Sequence, residues 1–148
     1  MLDRLPLFAA ALWWGSLSTI GFLAVPLLFA HLPTPALAGN TAARLFAAQT
    51  WVTLACGLVL LMAHRRQLLV EADSVAPAAR AAAGPDRALH FVTAGMLLAL
   101  LVEFAVAPRI VARENLRLWH SVGTGLYALQ WLCAAAVLWR QGAARRAA

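Results

Sequence analysis

Apolar residues fill four long stretches of this chain, and the charged residues collect in the gaps between them. After the first stretch, Leu5 to Ala30, no charged side chain appears until Arg44. Leu45 to Ala63 supplies nineteen uncharged residues, and Leu118 to Trp139 supplies twenty-two. Between them, Ala88 to Val102 is fifteen residues long and free of Asp, Glu, Lys and Arg. Crossing the hydrocarbon of a bilayer takes about 20 helical residues. The third stretch reaches that length only by taking in Glu103 and running on to Pro108. The pattern predicts an all-α membrane protein, a single domain over residues 1–148 with four transmembrane helices in an antiparallel bundle. The expected spans are 7–30, 43–63, 88–108 and 118–139.

The punctuation between the stretches agrees with that division. His31-Leu-Pro-Thr-Pro35 reads as a turn in which both prolines block helix continuation. Asn40 or Thr41 is placed to cap the second helix, with Arg44 in its first turns. Pro35-Ala-Leu-Ala38 before Gly39 has the form of a signal-peptidase site. The apolar run ahead of it is far longer than the ~7–15 residues of a signal, so the first helix is read as retained. His64-Arg65-Arg66 stops the second span. Residues 67–87, with Pro77 and Gly84-Pro85, read as a cytoplasmic connector, and 141–148 as a flexible basic tail.

Composition strengthens the membrane reading and narrows the partners. Hydrophobic residues make up 63% of the chain, with a mean hydropathy of +0.76. A soluble domain is nearer ~45–50% apolar. The net charge of +6 comes from twelve arginines and no lysine against six acids. Nucleic acid is not an expected partner, because the arginines sit between spans and not on one face. Contact with the lipid bilayer explains them better. Arg4, Arg65, Arg66, Arg80, Arg87, Arg140, Arg145 and Arg146 share one side, against Arg44, Arg109, Arg113 and Arg117 on the other. That bias makes both termini cytoplasmic, and lysine-free usage suits a bacterial inner membrane. Cys56 and Cys133 lie mid-span without a CxxC or a ligand cluster and read as small buried hydrophobes.

Candidate chemistry gathers at the non-cytoplasmic end. Glu103 is the one acid expected within a span, and intramembrane acids tend to face partners in the bundle interior. Pro108, if the helix continues through it, removes the donor for the Phe104 carbonyl. His31, Arg44, Arg109, Arg113 and His120 belong to the same end. The expected ligand or proton site is therefore Glu103 with Arg44, Arg109, His120 and His31, and Pro26 and Pro108 shape the helices. The alternative is a structural knot in which Glu103 bonds Arg44 or His120 and fixes helix register. Gly15 and Ser18 on the first span, and Ser121 and Gly125 on the fourth, are expected at helix contacts, including those with a second copy or a membrane-protein partner. His120, Thr124, Tyr127 and Trp131 share another face of the fourth span. No cofactor is expected, and no metal is assigned. Haem held by His31 with His120 and His64 with His90, or copper, is the remaining alternative. No serine–histidine–acid set, phosphate loop or paired carboxylates occurs.

The order of motifs resembles a known family. Trp14-Gly15, Val25-Pro26 and Leu28-Phe29 open the pattern, followed by Ala38-Gly39 and Leu45-Phe46. Glu103 with Ala107-Pro108-Arg109 ends span three, and Leu118-Trp119-His120-Ser121 opens span four. Together these look like the transmembrane-protein-205-like family, also described as a domain of unknown function, over Leu5 to Trp139. The resemblance implies a four-helix membrane protein without an established activity that handles a metal-containing solute. Its family-like positions are Pro26, Glu103, Pro108, Arg109 and His120. The expected function is a non-enzymatic module that binds or passes a small solute, a proton or a metal-containing species. A structural subunit that docks other helices is the alternative, and a haem or copper redox protein the second.

Overall fold

The computed structural model describes residues 4–74 and 87–146. They form four helices, each long and apolar enough to cross a membrane: α1 (Leu5–His31), α2 (Pro35–Ser74), α3 (87–111) and α4 (Leu116–Arg146). No strand occurs among the described residues. Turns of three and four residues join α1 to α2 and α3 to α4, so each pair is an antiparallel hairpin. Each helix packs on its neighbours in sequence, and α1 also packs on α4, giving the order 1-2-3-4 around the bundle. This is the expected all-α membrane architecture.

Helix ends differ from expectation in instructive ways. Leu32 is extended ahead of Pro33, which ends α1 as the prolines require. Pro35, however, starts α2 where it was expected to block it, because proline is well suited to the first helical position. Thr34 caps this start by accepting the Leu37 N–H at 3.2 Å. Thr41 lies inside the helix and donates to the Leu37 carbonyl at 2.9 Å, so neither it nor Asn40 is the cap. The second helix thus begins at 35, not 43. It also continues past Arg65 and Arg66 to Ser74, since charges stop a span without stopping a helix. The expected connector is therefore helical to that point, and residues 75–86 of it lie outside the described residues. Likewise the expected tail is helix as far as Arg146, through alanines of high helix propensity.

The turn between α3 and α4 closes tightly. Arg113 N–H bonds the Ile110 carbonyl and Glu114 N–H the Arg109 carbonyl, both at 3.0 Å. This is a Schellman closure, with Arg113 in the left-handed conformation (φ 58°) where glycine is usual.

The bundle's centre is built around Trp13, which is wholly buried with Leu17, Ala134 and Val137. Its ring lies so close to α3 that a Cβ on Gly95 would fall 2.5 Å from it. Gly57 gives the Met96 sulfur the same close approach. Cys56 and Cys133 are free, buried members of this packing. At the end where the chain begins, here the termini end, a cavity of about 60 Å³ lies among all four helices. Its polar lining comes from His64, Gln67 and Gln141, and Leu60 and Val137 line its apolar part.

Candidate functional site

The opposite, turn end of the bundle contains two breaks in regular α-helix. Within α1, Ile20–Ala24 form a π-turn just ahead of Pro26. Within α3, Val102–Val106 form another just ahead of Pro108. Proline offers no N–H and crowds the carbonyl four residues earlier. One extra residue in the turn widens it, which lets the helix continue through the proline.

The α1 break is filled by aromatic side chains of α4. Tyr127 donates its hydroxyl to the Leu17 carbonyl at 2.8 Å. Its ring lies so near Gly21 that a Cβ there would sit 2.8 Å away. Phe46 of α2 meets the same ring edge-on at 5.2 Å. One turn below, Trp131 donates to Ser18 at 2.8 Å, and Ser18 donates to the Trp14 carbonyl at 2.8 Å. Trp14 lies tilted against Trp131 and Phe22 meets it edge-on, each with centroids 5.7 Å apart.

Amides and hydroxyls cross the interior beneath these rings. Gln49 donates to Ser16 at 2.9 Å, and Gln130 donates to Thr53 at 3.0 Å. Gln49 and Gln130 are each 3% exposed and Thr53 is fully buried. Such bonds hold membrane helices together, at about 0.6 kcal/mol on average. Three buried polar atoms still lack a partner among the described residues: Gln49 Oε1, Trp13 Nε1 and Trp14 Nε1. None of these glutamines and threonines stood out in the sequence. Their signal was an amide inside an uncharged run, which does not say what it faces.

The α3 break has different surroundings. Glu103 lies within its π-turn, is half-buried, and makes no hydrogen bond or ion pair among the described residues. Arg109 is turned elsewhere: its guanidinium donates to the Ala105 carbonyl and lies 4.4 Å from the centroid of the Trp119 ring. Arg44, His31 and His120 are exposed. His31 faces the carbonyl of Leu27 at 3.0 Å through Nδ1. All of the expected site residues therefore lie towards the turn end, but none of the cations is joined to the carboxylate. An open groove on the outside of α3 is lined by Phe104, Pro108, Arg109 and Glu114, and Glu103 does not line it. Among the described residues no three His, Cys, Asp or Glu side chains gather to hold a metal ion.

The expected packing positions separate in the same way. Ser18 is used, as the acceptor for Trp131. Gly15 and Gly125 have nothing within 4 Å of an added Cβ, and Ser121 is exposed, donating to its own helix at Arg117. Close approaches occur at Gly21, Gly57 and Gly95 instead. Chemically, a carboxylate within a span and without a counter-charge can take up a proton or a cation.

No curated protein and no solved structure matches the chain. The model of a domain of unknown function, DUF4149, matches residues 8–118, from the first helix to the start of the fourth. Since that stretch is most of the chain and holds both π-turns and Glu103, the protein belongs to the DUF4149 family.

Proposed function

We propose that this protein is a non-enzymatic membrane module that binds or passes a small solute, a proton or a metal-containing species at the turn end, with Glu103 as the acceptor. One observation carries the reading: Glu103 is half-buried in a π-turn and has no partner among the described residues. An acid at such depth costs the helix free energy, and acids of this kind are commonly ion or proton sites. Arg44, Arg109, His31 and His120, which lie towards the same end without bonding Glu103, set the charge of its surroundings. Pro26 and Pro108 shape their helices, and the break ahead of Pro108 is the one that holds Glu103. The arginine excess at the termini end makes the turn end the non-cytoplasmic face of a bacterial inner membrane. Likeness to transmembrane-protein-205-like proteins favours a metal-containing species.

The test is thermal unfolding of the full chain in lipid nanodiscs, at stepped pH and with sodium, magnesium or copper chloride. The wild type is expected to gain stability with at least one of these. Glu103→Gln is expected to fold with unchanged helicity and to lose that gain. Equal gains in both proteins would eliminate the role.

A second reading is a structural subunit that docks other helices. It is favoured by the open space over Gly15 and Gly125 and by the exposed Ser121. Here Gly125→Leu would weaken crosslinked assemblies, and Glu103→Gln would leave them intact.

A further inference from the structure

The groove on the outside of α3 has an apolar part and a charged part, and the turn after α3 builds the second. Phe104 and Pro108 supply the apolar lining, Arg109 and Glu114 the charged lining, and Ala105 and Ala112 complete it. Glu114 reaches the groove through the Schellman closure, in which its N–H bonds the Arg109 carbonyl at 3.0 Å. At about 570 Å³ the groove falls within the ~300–1,000 Å³ of small-molecule sites. Phe104 and Arg109 are both exposed, so it opens away from the bundle. Arg109 follows Phe104 by five residues, a rise of ~7.5 Å towards the turn. The apolar lining therefore lies on the bilayer side and the charged lining on the water side. Trp119, which stacks on Arg109, agrees with that level, since tryptophan collects where lipid headgroups lie.

Arg109 and Glu114 line one groove without pairing with each other, and neither has an ion pair among the described residues. The guanidinium is held by other means. It donates through Nη1 to the Ala105 carbonyl and lies 4.4 Å from the centroid of the Trp119 ring. Both contacts orient its planar fork, and neither neutralises it. The remaining N–H groups suit the paired oxygens of a phosphate. The Glu114 carboxylate accepts only, so it suits an ammonium that still carries hydrogens. A quaternary ammonium has no hydrogen to donate and is drawn to aromatic faces, and the ring beside the groove is engaged by Arg109. One phosphate, one primary amine and an apolar body answer all three parts of the lining.

We propose that this groove is a seat for a phospholipid of the phosphatidylethanolamine class. Its phosphate lies on Arg109, its ammonium on Glu114, and its glycerol and first acyl carbons along Pro108 and Phe104. A lipid seated there covers the outer side of the proline break in α3. Glu103 does not line the groove, so the seat stands apart from the acceptor role of that residue.

The experiment is native mass spectrometry of the full chain, released from mixed micelles that hold phosphatidylethanolamine, phosphatidylcholine and phosphatidylglycerol in equal amounts and with the same acyl chains. The wild type is expected to retain phosphatidylethanolamine over phosphatidylcholine by about two- to tenfold, the scale of one net hydrogen bond. Glu114→Ala is expected to abolish that preference while both lipids stay bound. Arg109→Lys keeps the charge without the fork and is expected to lower retention of both lipids alike. Arg140→Gln, at the termini end, is expected to change neither. If the Arg109 variant does not fold, the Glu114 variant, on an exposed turn, decides. A wild type without preference, or a preference that survives in Glu114→Ala, overturns the seat. Preferential retention of phosphatidylglycerol also overturns it, because the exposed Arg109, Arg113 and Arg117 would then act as a plain anion-attracting patch.

Discussion

The π-turn of α1 and the π-turn of α3 pose one backbone problem in two settings. Each admits an extra residue ahead of a proline, and each lies towards the turn end of the bundle. At the first, Tyr127 bonds the Leu17 carbonyl, and its ring covers Gly21. At the second, the chain presents a carboxylate and no side chain answers it among the described residues. Magnitudes separate the two. An intramembrane hydrogen bond contributes about 0.6 kcal/mol on average. A charged side chain at mid-membrane costs about 2.5–3.5 kcal/mol on insertion scales, and less towards the edge. Stability alone accounts for the first break and argues against the second. The first irregularity is satisfied by its own bundle, whereas the second leaves a carboxylate that no side chain answers among the described residues.

Four substitutions break or sharpen this contrast. The largest effect is expected from Trp13→Ala, which removes the floor beneath both breaks. A loss of about 3–5 kcal/mol, as for other buried tryptophans, should appear in unfolding from nanodiscs or mixed micelles. Gly21→Val comes next, because its Cβ would fall 2.8 Å from the Tyr127 ring. Overpacking of this kind costs about 1–3 kcal/mol. The same change at Gly15 meets open space and serves as the control, and equal losses at the two glycines would refute the close approach. Tyr127→Phe follows, which deletes one bond to Leu17 and should cost about 0.6–1.7 kcal/mol. Glu103→Gln should cost less still, having no bond to lose. Were the order of these last two reversed, Glu103 would have a structural partner and the contrast would vanish.

Much of this was legible in the chain, and the remainder was hidden for definable reasons. Four uncharged runs announced four helices, since length and charge alone decide what can cross a bilayer. Glu103 and Pro108 announced a break, because an acid and a proline are both costly in that setting. The cap at Thr34 was missed because Pro35 can either end a helix or begin one, and the flanking residues do not decide between them. Trp13 against Gly95 was hidden because the relative height of α1 and α3 is set by packing and not by period. The Gln49–Ser16 and Gln130–Thr53 bonds were hidden likewise, since an amide in an apolar run reveals its depth but not its neighbour. Gly15 and Gly125 carried the opposite lesson: small residues permit a close approach and do not compel one.

The cavity at the termini end has an electrical consequence. Its polar lining of His64, Gln67 and Gln141 is wettable, and Leu60 and Val137 form its apolar part. Water held there would bring the aqueous boundary in from the termini side to that level of the bundle. A membrane voltage falls chiefly across the dry, closely packed part of its path. A unit charge crossing that part would still collect the full ~2.3 kcal/mol per 100 mV, over a shorter distance.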